Sequence, residues 1–207
     1  DHNEVAYTPY SGISLGWGWD EEEKNNSNAL TQVGNNKITN NFVHDVCRTV
    51  YDGGAIYTLG WQKGSVISGN YIYNSGSSAT KSENAIYLDE GSAYIQVTGN
   101  VIDSTAQSWL QIYFSNIHDN TVTGNYYRSG LSTRGAFVNI GNTTKNNTSF
   151  SSVAGNAQAK AIADASGLTD NAFESSEKKG FVRQHNIGLE FWGSTDGARY
   201  TTDSPGW

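Results

Sequence analysis

The sequence lacks several features that mark common classes of protein. Of its 207 residues none is Met and one, Cys47, is Cys, which excludes an internal disulfide framework. Lys and Arg number 13 against 20 Asp and Glu, and the formal net charge is −7. Without a basic cluster, the electrostatic footprint of nucleic-acid binding is missing. No run approaches the roughly 20 apolar residues of a membrane span.

Aromatic residues and glycine are abundant, with 6 Trp, 12 Tyr and 23 Gly. This composition is common among carbohydrate-active proteins, and it equally fits an ordinary β-rich core. The length allows one domain with a sizeable core.

A short motif recurs along the first two thirds of the chain. Its asparagines at 41, 70, 100 and 125 are separated by 29, 30 and 25 residues. The four copies are TNNFV (39–43), SGNYI (68–72), TGNVI (98–102) and TGNYY (123–127). A second apolar series runs in step with it, at 12–15, 55–57, 85–88, 110–113 and 136–138. Repeats of this period indicate stacked units, each too small to bury its apolar face alone.

These repeats predict an all-β chain folded as a right-handed parallel β-helix, of which it forms the C-terminal coils. Gly or Asn suits the left-handed backbone of a tight corner, and stacked Asn side chains are expected to form a ladder. Residues 158–168 predict a short helix ended by Gly167 that caps the last coil. The predicted division is 1–150 for the coils with a catalytic groove and 151–207 for the capping helix and tail.

The first coil shows no comparable cap. Asn3 already occupies a repeat position, and a coil left open would expose unpaired backbone groups and apolar core. We therefore expect a preceding segment, or a second chain, to pack against residues 2–10.

The corner before the strand at 55–57 carries the most informative residues. Asp45 and Asp52 lie seven positions apart, and Gly53-Gly54 permits a sharp bend. Two facing carboxylates suit glycoside hydrolysis, and we expect them in one groove about 5–10 Å apart. The alternative is that Asp45 and Asp52 have no catalytic role and are loop residues that are solvated or cap a turn. The neighbouring side chains of His44, Arg48 and Tyr51 could bind substrate or adjust the pKa values of the two carboxylates.

Further candidate binding residues lie at other strand ends. Asp89 and Glu90 follow the next strand and could bound the same groove, or they are simply surface acids. Trp17, Trp19 and Trp61 stand beside Gly, and their indoles could stack on sugar rings or pack on the exterior. No metal-ligand spacing occurs and no cofactor is predicted, since the acidic run at 20–23 fits a solvated loop better than a structural calcium site.

The segments YSGISLGWGW (10–19) and HDVCRTVYDGGAIYTLG (44–60) resemble bacterial glycosidases of parallel β-helix fold. The seven-residue Asp spacing is most similar to the lacto-N-biosidases of gut bacteria, over about residues 1–170. The resemblance implies a retaining mechanism with Asp45 as acid/base and Asp52 as nucleophile. It also implies release of lacto-N-biose (Galβ1-3GlcNAc) from milk oligosaccharides of the lacto-N-tetraose type, and an additional N-terminal part.

Two other classes stay open beside this hydrolase. One is another β-helix glycosidase or a polysaccharide lyase, for which Lys63 or Arg48 would supply a base. The other is a non-catalytic surface that binds sugars or mediates adhesion. An extracellular or cell-surface location is favoured, with a cytoplasmic one if the glycan is imported.

Overall fold

The computed structural model describes residues 1–16, 33–76, 83–112, 116–135 and 141–169, and the backbone of 191–192 and 199–200. The chain divides into two compact units, Asp1–Gly167 and Leu168–Trp207. The boundary predicted between 150 and 151 stays a prediction.

Short strands dominate the first unit because its repeats place small groups of apolar and β-branched residues between corners. The strands are β1 (Glu4–Ala6), β2 (Ile13–Leu15), β3 (Lys37–Thr39), β4 (Phe42–His44), β5 (Gly54–Thr58), β6 (Val66–Ser68), β7 (Tyr71–Tyr73), β8 (Asn84–Leu88), β9 (Gln96–Thr98), β10 (Val101–Ile102), β11 (Ser108–Ile112), β12 (Thr121–Thr123), β13 (Tyr126–Arg128), β14 (Ser132–Gly135), β15 (Thr143–Lys145) and β16 (Thr148–Phe150).

Every third strand belongs to the same parallel sheet. Sheet A has six strands in the order β1-β4-β7-β10-β13-β16. Sheet B has the order β14-β11-β8-β5-β2, and sheet C the order β15-β12-β9-β6-β3. Equivalent repeat positions face each other, as in the pairs Val43 with Ile72 and Tyr57 with Tyr87. Each repeat thus supplies one strand to each sheet.

The fold prediction is wrong as stated and is corrected here. It specified a right-handed parallel β-helix, whereas the described residues of the first unit form three parallel sheets with six, five and five strands. Strand order and register define these sheets, and they do not define a right-handed helix of sheets. The reason is physical: a repeat specifies which positions face each other, because the side-chain pattern must match between neighbours. It carries no comparable signal for the hand of the connections.

The core is formed by the side chains that the strands point inward. Each sheet contributes fully buried apolar residues such as Ile72, Ile86 and Val97, which belong to one continuous cluster. Stacking buries faces that a single repeat would leave in water.

The predicted asparagine ladder is confirmed. Asn41, Asn70 and Asn100 are buried, and each side-chain carbonyl accepts the backbone N–H of the preceding ladder asparagine at 2.9–3.0 Å. The series continues through Asn125 to Asn147. The ladder satisfies polar groups that the corners would otherwise bury unpaired.

The predicted helix is present, but its position corrects the prediction. Helix α1 (Ala157–Ala165) begins after Asn156, whose side chain accepts the N–H of Ala159 at 2.9 Å, and Gly167 follows it at φ +87°. It packs against the outer face of sheet A through Val101 and Phe150 rather than over the last strand's edge. The outer face of sheet A is apolar there, and the helix removes part of it from water.

The second unit is described by two strands, β17 (Phe191–Trp192) and β18 (Arg199–Tyr200), which pair antiparallel. The other apolar residues of the predicted tail lie outside the described part of the chain. Over the residues described, no helix combines the length and apolarity needed to cross a bilayer.

Candidate active site

Three tyrosines line the outer surface of sheet B. Tyr57 and Tyr87 hold the same position in β5 and β8, so their side chains project from the same face. Their rings meet edge to face with centroids 5.3 Å apart, and the ring of Tyr10 lies 6.2 Å from that of Tyr57. Alternation along each strand sends Ile56 and Ile86 into the core and these tyrosines outward.

Asp89 extends this surface at the end of β8. Its side chain is buried, and its carboxylate accepts a hydrogen bond of 2.6 Å from the Tyr57 hydroxyl. The Tyr87 hydroxyl and the backbone N–H of Glu90 also hydrogen-bond to it. Burial raises the pKa of Asp89, and the negative charge of Asp52 adds to this rise, while the hydrogen bonds oppose it. Asp89 therefore keeps its proton to a higher pH than an ordinary Asp.

Asp52 stands at the corner that leads into β5. Its residue is exposed and its backbone is left-handed, with φ 69°. The Tyr10 hydroxyl donates to its backbone carbonyl oxygen at 2.8 Å. The next residue has no room for a side chain, because a Cβ on Gly53 would lie 2.9 Å from the ring of Tyr10. The corner is thus fixed while the Asp52 carboxylate remains open to solvent.

A third carboxylate, that of Glu83, lies beneath this corner. It is fully buried, and its Oε2 accepts the N–H of Gly53 at 2.9 Å. The backbone N–H of Asp52 and the thiol of Cys47 hydrogen-bond to it as well. Burial raises the pKa of Glu83, with a further contribution from the charge of Asp52.

The same environment acts on the neighbouring hydroxyl and thiol groups. Burial raises the pKa of Tyr57, Tyr87 and Tyr10, and nearby acidic charges add to each rise. Burial also raises the pKa of the Cys47 thiol to about 12, so this side chain is a structural thiol rather than a nucleophile. The tyrosines therefore act at neutral pH as hydrogen-bond donors.

The predicted catalytic residue Asp45 lies in another network. Its carboxylate is 2.9 Å from Nδ1 of His44 and accepts a hydrogen bond from the side-chain amide of Asn74. The other ring nitrogen of His44 faces Glu4 Oε1 at 2.8 Å. The described contacts of Asp45 and Asp52 have no member in common, and their predicted sharing of one groove stays a prediction.

Asp45 also occupies a recurring structural position. Ala6, His44 and Tyr73 pair in sheet A, so the residues that follow them are equivalent. These are Tyr7, Asp45 and Asn74, and all three are left-handed, at φ 59°, 51° and 53°. Asp and Asn tolerate this conformation better than most residues, which gives Asp45 a role in the corner independent of chemistry.

The remaining predicted binding residues are spread over several surfaces. Arg48 donates to the backbone carbonyl of Gly76 at 2.9 Å, and Tyr51 is 70% exposed beside Asp52. Trp61 is 9% exposed, with the rings of Tyr94 and His118 packed edge-on around it. Glu90 is half-buried next to Asp89, and Trp17 and Trp19 lie outside the described residues. Their roles in binding stay predictions.

No group of three or more His, Cys, Asp or Glu side chains in the described part of the chain is arranged to hold a metal ion. Of the predicted set, His44 contacts Asp45, and the charge of Asp52 contributes to the raised pKa of Asp89. The structure adds Tyr10, Tyr57 and Glu83, which the sequence had not singled out.

The missed residues had weak signals. Tyr57 and Tyr87 recur at the same position of two successive strands, on the face that points away from the core. Small polar residues would suffice on a solvated face, so a repeated aromatic residue is a signal. Glu83 directly precedes a fully buried strand, at the position that Gly53 holds in the repeat before it. A carboxylate at a buried repeat position costs desolvation free energy, so an acidic residue there is a candidate for a specific role.

Comparisons with known proteins give one similarity. No family model matches this sequence, and no curated protein matches it. Among solved structures, a chain described as "Glycoside hydrolase" is similar, with 25% sequence identity and a TM-score of 0.47. The match covers 84% of this chain and 23% of that chain, so this chain spans less than a quarter of the matched chain's length.

Proposed function

We propose that this chain carries the catalytic carboxylates of a glycoside hydrolase, on the outer surface of sheet B at Asp52 and Asp89. The observation that carries the proposal is Asp89, a buried carboxyl group that sits among tyrosines and interacts with the charge of an exposed second carboxylate. Glycosidases use two carboxyl groups in different environments, one protonated and one ionised.

The roles follow from the environments. Burial raises the pKa of Asp89, so it is the group suited to protonate the departing glycosidic oxygen. Asp52 is exposed and can reach a sugar, so it is suited to attack the anomeric carbon or to activate water. The hydroxyl of Tyr57 holds the Asp89 carboxyl in place and remains a donor, because burial raises its own pKa.

The finer assignment comes from the resemblance in residues 10–19 and 44–60. It favours a retaining hydrolase that releases lacto-N-biose from lacto-N-tetraose, outside the cell or at its surface. Proton NMR of the first product anomer tests the stereochemistry, since retention gives the β-anomer first and inversion gives the α-anomer.

The resemblance and the described contacts assign the acid/base role, beside Asp52, to different residues. The resemblance gives the acid/base role to Asp45, whereas the contacts among the described residues favour Asp89, because its environment raises a carboxyl pKa. Both assignments keep Asp52, so its substitution tests the function and the other two substitutions test the partner.

We would measure hydrolysis of lacto-N-tetraose and of the p-nitrophenyl glycoside of lacto-N-biose by the variants D52N, D89N and D45N. D52N should lose about 10²–10⁴-fold in kcat on both substrates. D89N should lose a similar factor on the tetrasaccharide and much less on the p-nitrophenyl glycoside, whose leaving group departs without a proton.

Asp164→Asn is the matched control, because this exposed helix residue lies away from sheet B and pairs with Lys160. Its kcat should equal that of the wild type. Full activity of D52N would overturn the proposed function at this site. The selective loss in D45N instead of D89N would transfer the acid role to Asp45.

A sugar-binding surface without catalysis is the second candidate. Tyr51, 70% exposed next to Asp52, favours it, since an open aromatic ring stacks on sugars without any chemistry. Titration calorimetry with lacto-N-tetraose distinguishes the two: binding that Tyr51→Ala abolishes, with no hydrolysis by the wild type, supports this candidate.

A further inference from the structure

Among the described residues, one buried carboxyl group of the site, that of Glu83, forms no ion pair with a Lys, Arg or His side chain. Glu83 is fully buried, and burial is the largest of the causes that raise its pKa. Carboxylates in such surroundings are costly, and an apolar side chain of similar size would often serve stability better. Its place in the fold therefore needs a reason other than stability.

Two of the hydrogen bonds of Glu83 lead to one corner, and another comes from the thiol of Cys47. Its Oε2 accepts the N–H of Gly53 at 2.9 Å, and the N–H of Asp52 also donates to the carboxylate. Asp52 is held at φ 69°, a left-handed conformation that Asp tolerates better than most residues and that surrounding contacts can fix. Glu83 supplies such contacts from the next repeat, 30 residues along the chain.

The opposite side of the corner is fixed as well. The Tyr10 hydroxyl donates to the Asp52 carbonyl at 2.8 Å, and Gly53 packs so closely under Tyr10 that no side chain would fit. Tyr10, Asp52 and Glu83 belong to three successive repeats. The peptide groups on both sides of Asp52 are thus held from two neighbouring repeats, while its side chain faces solvent.

We propose that Glu83 is the positioning residue for Asp52, whose carboxylate it aims at the substrate by binding the backbone N–H groups of Asp52 and Gly53. This inference rests on the proposed function for its catalytic consequence, but not for its structural part. A displacement of about 1 Å in a reacting group can cost on the order of 10²-fold in rate.

The test uses the full chain with Glu83→Ala and Glu83→Gln. For E83A we expect kcat on the p-nitrophenyl glycoside to fall about 100-fold, with KM changed far less, because binding surfaces stay in place. E83Q keeps one acceptor oxygen and should fall between E83A and the wild type. If E83A does not fold, E83Q carries the test.

Amide hydrogen exchange supplies a readout independent of activity. The Gly53 amide should exchange about tenfold faster or more in E83A, relative to the amide of Val101, which donates to Asn70 in sheet A. Asn125→Ala, which removes an equally buried polar group at another corner, should lower stability without changing kcat or the Gly53 ratio.

The outcomes separate this inference from the proposed function. An unchanged Gly53 exchange ratio and an unchanged kcat in E83A or E83Q would overturn the positioning role. Full activity in D52N would overturn the proposed function, and faster Gly53 exchange in E83A would then still establish what Glu83 holds.

Discussion

At the scale of single residues, the outer surface of sheet B and the corner that leads into β5 hold more buried acid than stability alone explains. Asp89 and Glu83 are both buried, and burial raises the pKa of each. Hydrogen bonds from Tyr57 and from the corner backbone offset part of this cost. Proteins tolerate such costs mainly where a group must keep an unusual protonation state.

This cost predicts a pH-dependent gain of stability in Asp89→Asn. Below about pH 3.9, the unfolded pKa of Asp, the wild-type side chain is protonated in both states, so its ionisation costs nothing. As the pH rises toward the elevated folded pKa, the unfolded state releases its proton first and the wild type loses stability. The amide of D89N does not titrate. The free energy of unfolding of D89N should therefore exceed that of the wild type by about 1 kcal/mol once the pH is above the folded pKa of Asp89, and the difference should then stay constant.

Urea unfolding of both proteins from pH 3.5 to 8 measures this difference. The gain should appear together with the loss of kcat on lacto-N-tetraose. A difference in unfolding free energy that stays constant over the whole range would show that Asp89 has an ordinary pKa. Asp164→Asn, on the exposed side of α1, should give the flat profile.

The sequence offered several candidate acids, whose catalytic roles stay predictions, but it did not show how they group. Asp45 and Asp52 are close along the chain, yet the corner between them turns one toward His44 and leaves the other beside the sheet B tyrosines. Asp52 precedes β5 and Asp89 follows its neighbour β8, and the charge of Asp52 adds to the rise in the pKa of Asp89 although the two residues lie in different repeats. Sequence separation therefore misleads in a repeat fold, where the neighbour across the sheet lies about 30 residues away.

At the scale of elements, the repeat predicted the strands well. The apolar series of the sequence coincides with β2, β5, β8 and β11, and the Asn motif marks the corner before the sheet A strands. The last copy of the series, 136–138, lies outside the described residues. Sheet C was not singled out, because its short strands, such as Lys37–Thr39, contain one buried residue between polar ones. One apolar position is too little for a periodic signal.

The asparagine ladder gives the prediction that belongs to this scale. The Asn100 side chain is fully buried, donates to Ile67 O and Asn125 Oδ1 at 2.9 Å, and accepts two N–H groups of Asn70. Asn100→Ala leaves several of these groups buried and unpaired, so we expect a loss of about 2–4 kcal/mol.

Asn147→Ala is the matched comparison, since Asn147 is the last ladder residue and half-buried. Water can replace part of its hydrogen bonds, and the loss should be at most half as large. Urea titration monitored by tryptophan fluorescence measures both values. Equal losses in the two variants would contradict the idea that burial gives the ladder its strength.

At the scale of the whole molecule, the stacking leaves defined edges. Among the described residues, β1, β2 and β3 are the outermost strands at one side of sheets A, B and C. Val5, Ile13 and Leu15 pack against the core from these strands while remaining partly exposed. A partly covered edge of this kind can pair with further strands.

The expected partner, a preceding segment or a second chain that completes this edge, stays a prediction, and hydrogen exchange tests it. In residues 1–207 alone, β1 amides that point away from β4 should exchange about tenfold faster or more than those of β7, which lies between two strands. Addition of the covering segment should slow the β1 amides selectively and leave β7 unchanged, because only new strand pairing supplies acceptors to them. β1 amides that are already as protected as those of β7 in the monomeric chain would show that this edge needs no partner.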